Sequence, residues 1–384
     1  MRHVRGRRLH IAKALPATVH RATVGYNGRV DIASWHRRVI TAPPGVRATI
    51  ARGVLRVLAG GYATAAAARN RWYDVRGPKV RVPLPVISVG NLTVGGTGKT
   101  PLVIELVSRL EALDRRPAVI ARGFGSFSGQ ANEEQRLIER YAHNSVCICD
   151  PDRARAAHAA NAQWKVDTIV LDDGFQHRRL HRDLDIVLVD ATCPFGFGYL
   201  LPRGLLREPV HALARADVIV LTRCDQVSPD TRAALAVRLR QLAPAAIHLQ
   251  CQHRVIAVEN LKGGPLPVPW TGRRAVLFAG IGNPESFRKT VETLGIEVAD
   301  VHWWPDHHRY RPEDLEFIRR ERRLPPHDLL LTTEKDAVKL ADLTAQDFAG
   351  LHVVKIAIDF LGDGDRMLQT VLCRTVDSNK TGAV

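Results

Sequence analysis

The sequence predicts an α/β fold: a parallel sheet sandwiched by helices, followed by a second, smaller α/β domain. Two observations carry this. Short apolar runs open at Val86 and recur at 118–120, 146–148, 168–171, 185–189, 218–221 and 246–249, with helix-like segments between most of them. Such runs mark strands covered on both faces. Prolines and glycines then interrupt the order in KGGPLPVPWTGRR, and a second set follows, with strands at 275–279, 297–301, 329–332 and 353–358 and helices at 284–294 and 312–323. The implied partition is a poorly ordered basic extension (1–45), an amphipathic helix (46–80), the main domain (81–255), a linker (256–274), the smaller domain (275–375) and a frayed polar tail (376–384).

The basicity is local. Residues 1–81 carry seventeen Lys and Arg against only Asp31 and Asp74, so nearly all of the net charge of +16 sits in the first fifth of the chain. A body close to neutrality gives no phosphate-tracking surface and argues against nucleic acid, whereas a basic end suits an anionic membrane face. From Val54 to Tyr73 apolar residues alternate with Arg52, Arg56, Arg69 and Arg71, as in a helix lying in a membrane interface or packing on its own domain. No apolar run is long enough to span a bilayer. The acid-poor extension also has the character of an organelle-targeting segment, though it is low in serine. Six scattered cysteines match neither a zinc ligand spacing nor a disulfide scaffold, and a reducing compartment is expected.

The main domain begins with VISVGNLTVGGTGKTP, a buried strand, a glycine-rich turn and the first turn of a helix. This is the layout of a P-loop. Backbone N–H groups of Gly95, Gly96, Thr97 and Gly98 can crowd around phosphates, Lys99 can reach the outer ones, and the Thr100 hydroxyl can hold Mg²⁺. The first glycine of the usual spacing is replaced by Thr93. The strand TIVLD ends in Asp172 and Asp173, hard oxygen ligands where a nucleotide-bound Mg²⁺ needs them. Asp306-His307-His308 follows Trp303-Trp304, a carboxylate beside an imidazole suited to general-base work on a hydroxyl or to an ordinary surface pair. Polar islands end other strands: Ala121-Arg122-Gly123, Thr333-Glu334-Lys335-Asp336, and a proline-bounded loop carrying Arg203 and Arg207. Arginine forks there suit a phosphate.

VGNLTVGGTGKTP, ARGFG, LDDGFQHRRLHRDLDIVLVD, LLPRGLLREP, FAGIGNPESF, WWPDHH and LTTEKDAVK occur in this order over roughly residues 54–360. Together they resemble the tetraacyldisaccharide 4'-kinase family, the lipid A 4'-kinases that phosphorylate a disaccharide lipid with ATP. The resemblance implies a P-loop NTPase-like nucleotide domain, a smaller C-terminal domain, and an N-terminal helix resting on the cytoplasmic leaflet of the inner membrane. It places the P-loop lysine and threonine on Lys99 and Thr100, the strand-end acids on Asp172 and Asp173, and the base histidine on His307. The family's partner aspartate lies in Gly-Asp-Glu, matched here by Asn132-Glu133-Glu134, so the carboxylate of the base pair becomes Glu133 and the metal-associated glutamate is Glu134.

The expectation is phosphoryl transfer from ATP·Mg²⁺ to a sugar hydroxyl of a lipid A precursor. Gly95 to Thr100 bind the nucleotide, Thr100, Glu134, Asp172 and Asp173 serve the metal, and Lys99, Glu133, His307 and Asp306 do the chemistry. Arg122 and Arg207 are candidates for the substrate's existing phosphate. A soluble P-loop kinase or ligase on a small metabolite shares the same loop and acids. A GTPase-type switch or metallochaperone is a third reading, given Leu221-Thr222-Arg223-Cys224-Asp225.

Overall fold

The computed structural model describes residues 36, 39–41, 43, 45–123, 133–321, 328–340 and 350–378. Most of the extension, the stretch 124–132 with Asn132, and the tail beyond 378 lie outside the described residues. The elements run α1 (Val46–Arg76), β1 (Val86–Asn91), α2 (Lys99–Ala112), β2 (Pro117–Ala121), α3 (Glu133–Tyr141), β3 (Val146–Cys149), α4 (Arg153–Trp164), β4 (Thr168–Asp172), β5 (Leu184–Asp190), β6 (Val218–Thr222) and α5 (Pro229–Leu242). They continue with β7 (Ile247–Asn260), β8 (Arg274–Ala279), α6 (Pro284–Glu292), β9 (Glu297–Trp303), α7 (Pro312–Glu321), β10 (Asp328–Thr333), α8 (Glu334–Leu340), β11 (Leu351–Phe360) and α9 (Gly364–Ser378).

All eleven strands join one sheet, in the order β3-β2-β4-β1-β5-β6-β7-β11-β10-β8-β9. From β3 to β6 every pairing is parallel, and β1, β2, β4, β5 and β6 are buried along their whole length. That is why their sequences read as unbroken apolar runs. Helix α2 buries Leu102, Leu106 and Leu110 against β1 and β5 in one core. Loops at the carboxyl ends of β1, β2 and β4 therefore meet on one edge, where ligands of such sheets sit.

The expected partition needs three corrections. The linker does not begin at 256, because β7 runs on to Asn260, pairing parallel with β6 at its start and antiparallel with β11 from Cys251 onward. The Gly/Pro stretch connects only β7 to β8. Secondly, the smaller domain does not keep 353–375 to itself. Leu368, Leu372 and Val376 of α9 pack into the same core as α2, so the end of the chain returns to the first half. For the same reason the tail does not start at 376: α9 extends to Ser378, and Val376 is buried. Periodicity reports that a face is buried, not which half of the molecule buries it.

Helix α1 spans the amphipathic segment and stands largely off the body. Val46, Ile50, Val54, Val57 and Leu58 are exposed, while Leu55, Ala59 and Asn70 are buried. Among the described residues no helix is long and apolar enough to cross a membrane.

Candidate active site

The phosphate cradle is built from neighbouring residues. Asn91, the last residue of β1, donates from Nδ2 to Thr93 O at 2.8 Å and to Thr97 Oγ1 at 2.9 Å, stapling both ends of the loop. Thr93 replaces the usual glycine without strain because its backbone is extended, bridging antiparallel to Leu206. Gly98 caps α2 with φ 91°, a conformation that favours glycine, and a Cβ there would press on the His253 ring. From below, Thr222 Oγ1 donates to Thr97 O at 3.1 Å and Arg223 to Gly96 O at 2.8 Å. The segment Leu221–Asp225, the ground for the GTPase-type reading, thus supports the loop, and Arg223 is further ion-paired with Asp190.

Lys99 lies at the first position of α2, its Nζ 3.1 Å from Asn91 Oδ1 and 3.4 Å from Asp173. Asp173 also accepts both arms of Arg207, at 2.7 and 2.8 Å. Although burial would raise it, the Arg207 fork and Lys99 hold the Asp173 carboxyl far below the usual range. Arg207 is therefore turned inward onto Asp173 and Asn91, not outward toward a substrate phosphate as the sequence suggested. Asp172 is different. It is buried, its Oδ1 has no partner among the described residues, and burial and then the Glu134 charge push it up to about 7. An orphaned carboxylate oxygen beside a second acid fits a cation. Among the described residues no three acidic, His or Cys side chains could hold an ion by themselves. Mg²⁺ in nucleotide sites arrives on phosphates and takes only one or two protein carboxylates.

The second cluster joins three distant segments. His307, in the turn after β9 with φ 61°, places Nδ1 2.5 Å from Glu133 Oε1 at the start of α3. Asp306 stands 3.7 Å from the other ring nitrogen and accepts the His307 backbone N–H at 3.1 Å. Two lysines of α8 complete the group. Lys335 lies 3.2 Å from Glu133, 3.2 Å from Glu134 and 3.5 Å from Asp306; Lys339 lies 3.0 Å from Glu133 and 3.1 Å from Asp336. Burial would raise the Glu133 carboxyl, but His307 and the lysines take it down to about 2. The Glu133 contact in turn raises His307 above its ordinary value. His308 does not take part: it stacks on Trp304 and meets Asp314 at 2.8 Å.

Sequence reading missed Lys335 and Lys339 as site residues. The signal was present in LTTEKDAVK, where two lysines four apart share one helix face just after a strand. It also missed Arg153 and His177. Arg153 is buried, and among the described residues neither its Nε nor the buried His177 Nε2 has a partner. Burial and the Arg153 charge pull His177 down to about 4. With exposed Arg122 near enough to depress Arg153, this forms a basic corner behind Asp172.

Two halves of the molecule close on the cradle. Gly282, after β8, lies so near the P-loop that an added Cβ would collide with the Gly96 amide. A cleft of about 260 Å³ opens beside this contact, lined by Thr93, Gly96, Asp190, Gln226, Asn283 and Lys289.

A parallel sheet with a glycine-rich phosphate loop, strand-end acids and a carboxylate–imidazole pair facing them defines a P-loop phosphotransferase. The family of the tetraacyldisaccharide-1-P 4'-kinases matches residues 51–376, and the chain belongs to that family. It is 37% identical over 344 residues to a tetraacyldisaccharide 4'-kinase of Anaeromyxobacter dehalogenans, covering 84% of this chain and 90% of that protein. It is 39% identical over 317 residues to the one of Syntrophus aciditrophicus, covering 76% and 84%. The crystal structure of LpxK from Aquifex aeolicus in complex with ATP superposes with a TM-score of 0.64 at 26% identity, over 85% of this chain and 99% of that one.

Proposed function

We propose that the protein transfers the γ-phosphoryl group of ATP to the 4'-hydroxyl of a tetraacyldisaccharide 1-phosphate, a lipid A precursor, at the cytoplasmic face of the inner membrane. The observation that carries this reading is the 2.5 Å contact between His307 and Glu133, built from both halves of the chain beside the P-loop. Loop amides from Gly95 to Lys99 hold the phosphates, and Lys99 offsets charge developing on the transferred group. Thr100, Asp172 and Glu134 would hold Mg²⁺, which neutralises the phosphate oxygens when bound; Asp173 is kept ionised and in place by Arg207. His307 takes the hydroxyl proton, and Glu133, already ionised, steadies the imidazolium that forms. Arg122 and the buried Arg153 and His177 are the groups suited to the substrate's own phosphate.

Helix α1 supplies the membrane contact in this reading. Its exposed Val46, Ile50, Val54, Val57 and Leu58 are interleaved with Arg47, Arg52 and Arg56, an apolar face edged by cations that suits an anionic leaflet. The test is transfer of labelled γ-phosphate from ATP to a monophosphorylated disaccharide lipid, with Lys99→Ala as control. No transfer by the parent protein, with ATP still bound, sinks the reading. For the membrane part, Val54→Ser with Val57→Ser should release the protein from anionic vesicles in a flotation assay; unchanged flotation would exclude α1 as the anchor.

A further inference from the structure

Glu133 is held by more than its histidine. Oε1 lies 2.5 Å from His307 Nδ1 and 3.2 Å from Lys335 Nζ, and the opposite oxygen, Oε2, lies 3.0 Å from Lys339 Nζ, all as ion pairs. Lys339 is itself fixed, donating to Gly280 O at 3.2 Å and pairing with Asp336 at 3.1 Å. Asp336 is fully buried and accepts the Gly280 N–H at 3.1 Å, the Tyr310 hydroxyl at 3.0 Å and the Thr333 hydroxyl at 2.8 Å. The far end of α3 is tied as well, because the Tyr141 hydroxyl donates to Glu334 in the first turn of α8. Helix α3 thus cannot slide toward His307 without breaking bonds at both ends, and the Glu133 carboxylate meets its partners only at the reach of a glutamate side chain.

We infer that Lys335 and Lys339 are positioning residues that seat the Glu133 carboxylate against His307, and that this seat is cut to the length of glutamate, not aspartate. The inference rests on the reading that His307 with Glu133 moves the hydroxyl proton. Shortening the side chain by one methylene retracts the carboxylate by roughly 1.3 Å, which stretches a 2.5 Å contact beyond hydrogen-bond range. A displacement of that size in a reacting group can cost about 10²-fold in rate.

The experiment compares the parent with Glu133→Asp, Lys339→Met, Lys335→Met, Lys339→Arg and the double variant Glu133→Asp/Lys339→Met. It reads kcat, the KM for ATP, Mg·ATP affinity by calorimetry and the thermal unfolding midpoint. Glu133→Asp is expected to lower kcat by about 10²-fold with ATP affinity and midpoint unchanged. Lys339→Met and Lys335→Met should lower kcat in the same way, and Lys339→Arg should restore part of the loss. The double variant should be little worse than the poorer single, since both changes break one seat. Glu133→Asp at or above the parent rate, or losses that multiply in the double variant, would overturn the inference. If Lys339→Met fails to fold, Lys335→Met decides the role of the lysines, an unchanged kcat overturning it, and Glu133→Asp decides the length of the seat. His307→Ala separates the two layers: if it leaves the rate intact, the proton-transfer reading itself fails, whereas if it abolishes turnover and Glu133→Asp does not, only the glutamate seat fails.

Discussion

The glycine-rich loop and the His307–Glu133 cluster both gather at the carboxyl ends of strands, in halves of the sheet that run in opposite directions, yet they are assembled in opposite ways. The cradle is contiguous. Residues 86–100 supply strand, loop and helix start, and Asn91 staples the turn through neighbours two and six residues away. The base cluster brings together residues 133–134, 306–307 and 335–339, so its geometry depends on how β8–β10 and their helices settle against α3. A local structure tolerates drift between the halves; a cluster drawn from both halves does not. Binding of nucleotide and movement of the proton should therefore fail separately.

The largest effect that tests this separation is on the cradle side. Lys99→Ala should lower phosphoryl transfer by about 10³-fold, because a charge-stabilising donor is removed at the transferred group; a loss under tenfold in the labelled-ATP assay would remove Lys99 from that role. His307→Ala should cost about 10²-fold in kcat while calorimetric ATP affinity stays put. Parallel loss of ATP binding would break the comparison, showing the two clusters to be one. Arg207→Lys replaces a two-armed hold on Asp173 by a point charge and should weaken Mg·ATP binding by about tenfold, with kcat at saturation less affected.

Two pH measurements sharpen the contrast further. Glu133 raises His307, and the proton transfer proposed for His307 needs its imidazole unprotonated, so the acid limb of kcat/KM should lie above pH 6.5. Glu133→Gln removes the carboxylate that favours the imidazolium and should move that limb toward lower pH; a limb that stays in place would assign it to another group. On the cradle side, half-buried His253 packs under Gly98 with its Nε2 shut off from solvent, and this desolvation, helped by Arg223, takes it down to about 3. Stability should fall as pH drops below the unfolded value of 6.5, because the unfolded chain takes up a proton that the folded imidazole does not. Urea unfolding at pH 6 and pH 4.5 checks it: His253→Gln should reduce the difference.

The sheet was legible because strands buried on both faces must be apolar throughout, and β1, β4, β5 and β6 fall within two residues of their expected bounds. The N-terminal helix was legible as a helix, and Val46–Arg76 lies within the expected 46–80. The fate of β7 and α9 was not, since a run of apolar residues carries no address.

What the sequence determined by itself is the cradle, from Gly95 to Thr100, and the acids at the end of β4, because their chemistry follows from spacing along one stretch of backbone. Tertiary structure alone decided that Arg207 faces Asp173 and that Lys335 and Lys339 grip Glu133. It also decided that Arg153 is buried with no partner for its Nε among the described residues. Charges separated by tens or hundreds of residues interact through distance in space, and that distance is set only when the halves of the sheet have packed.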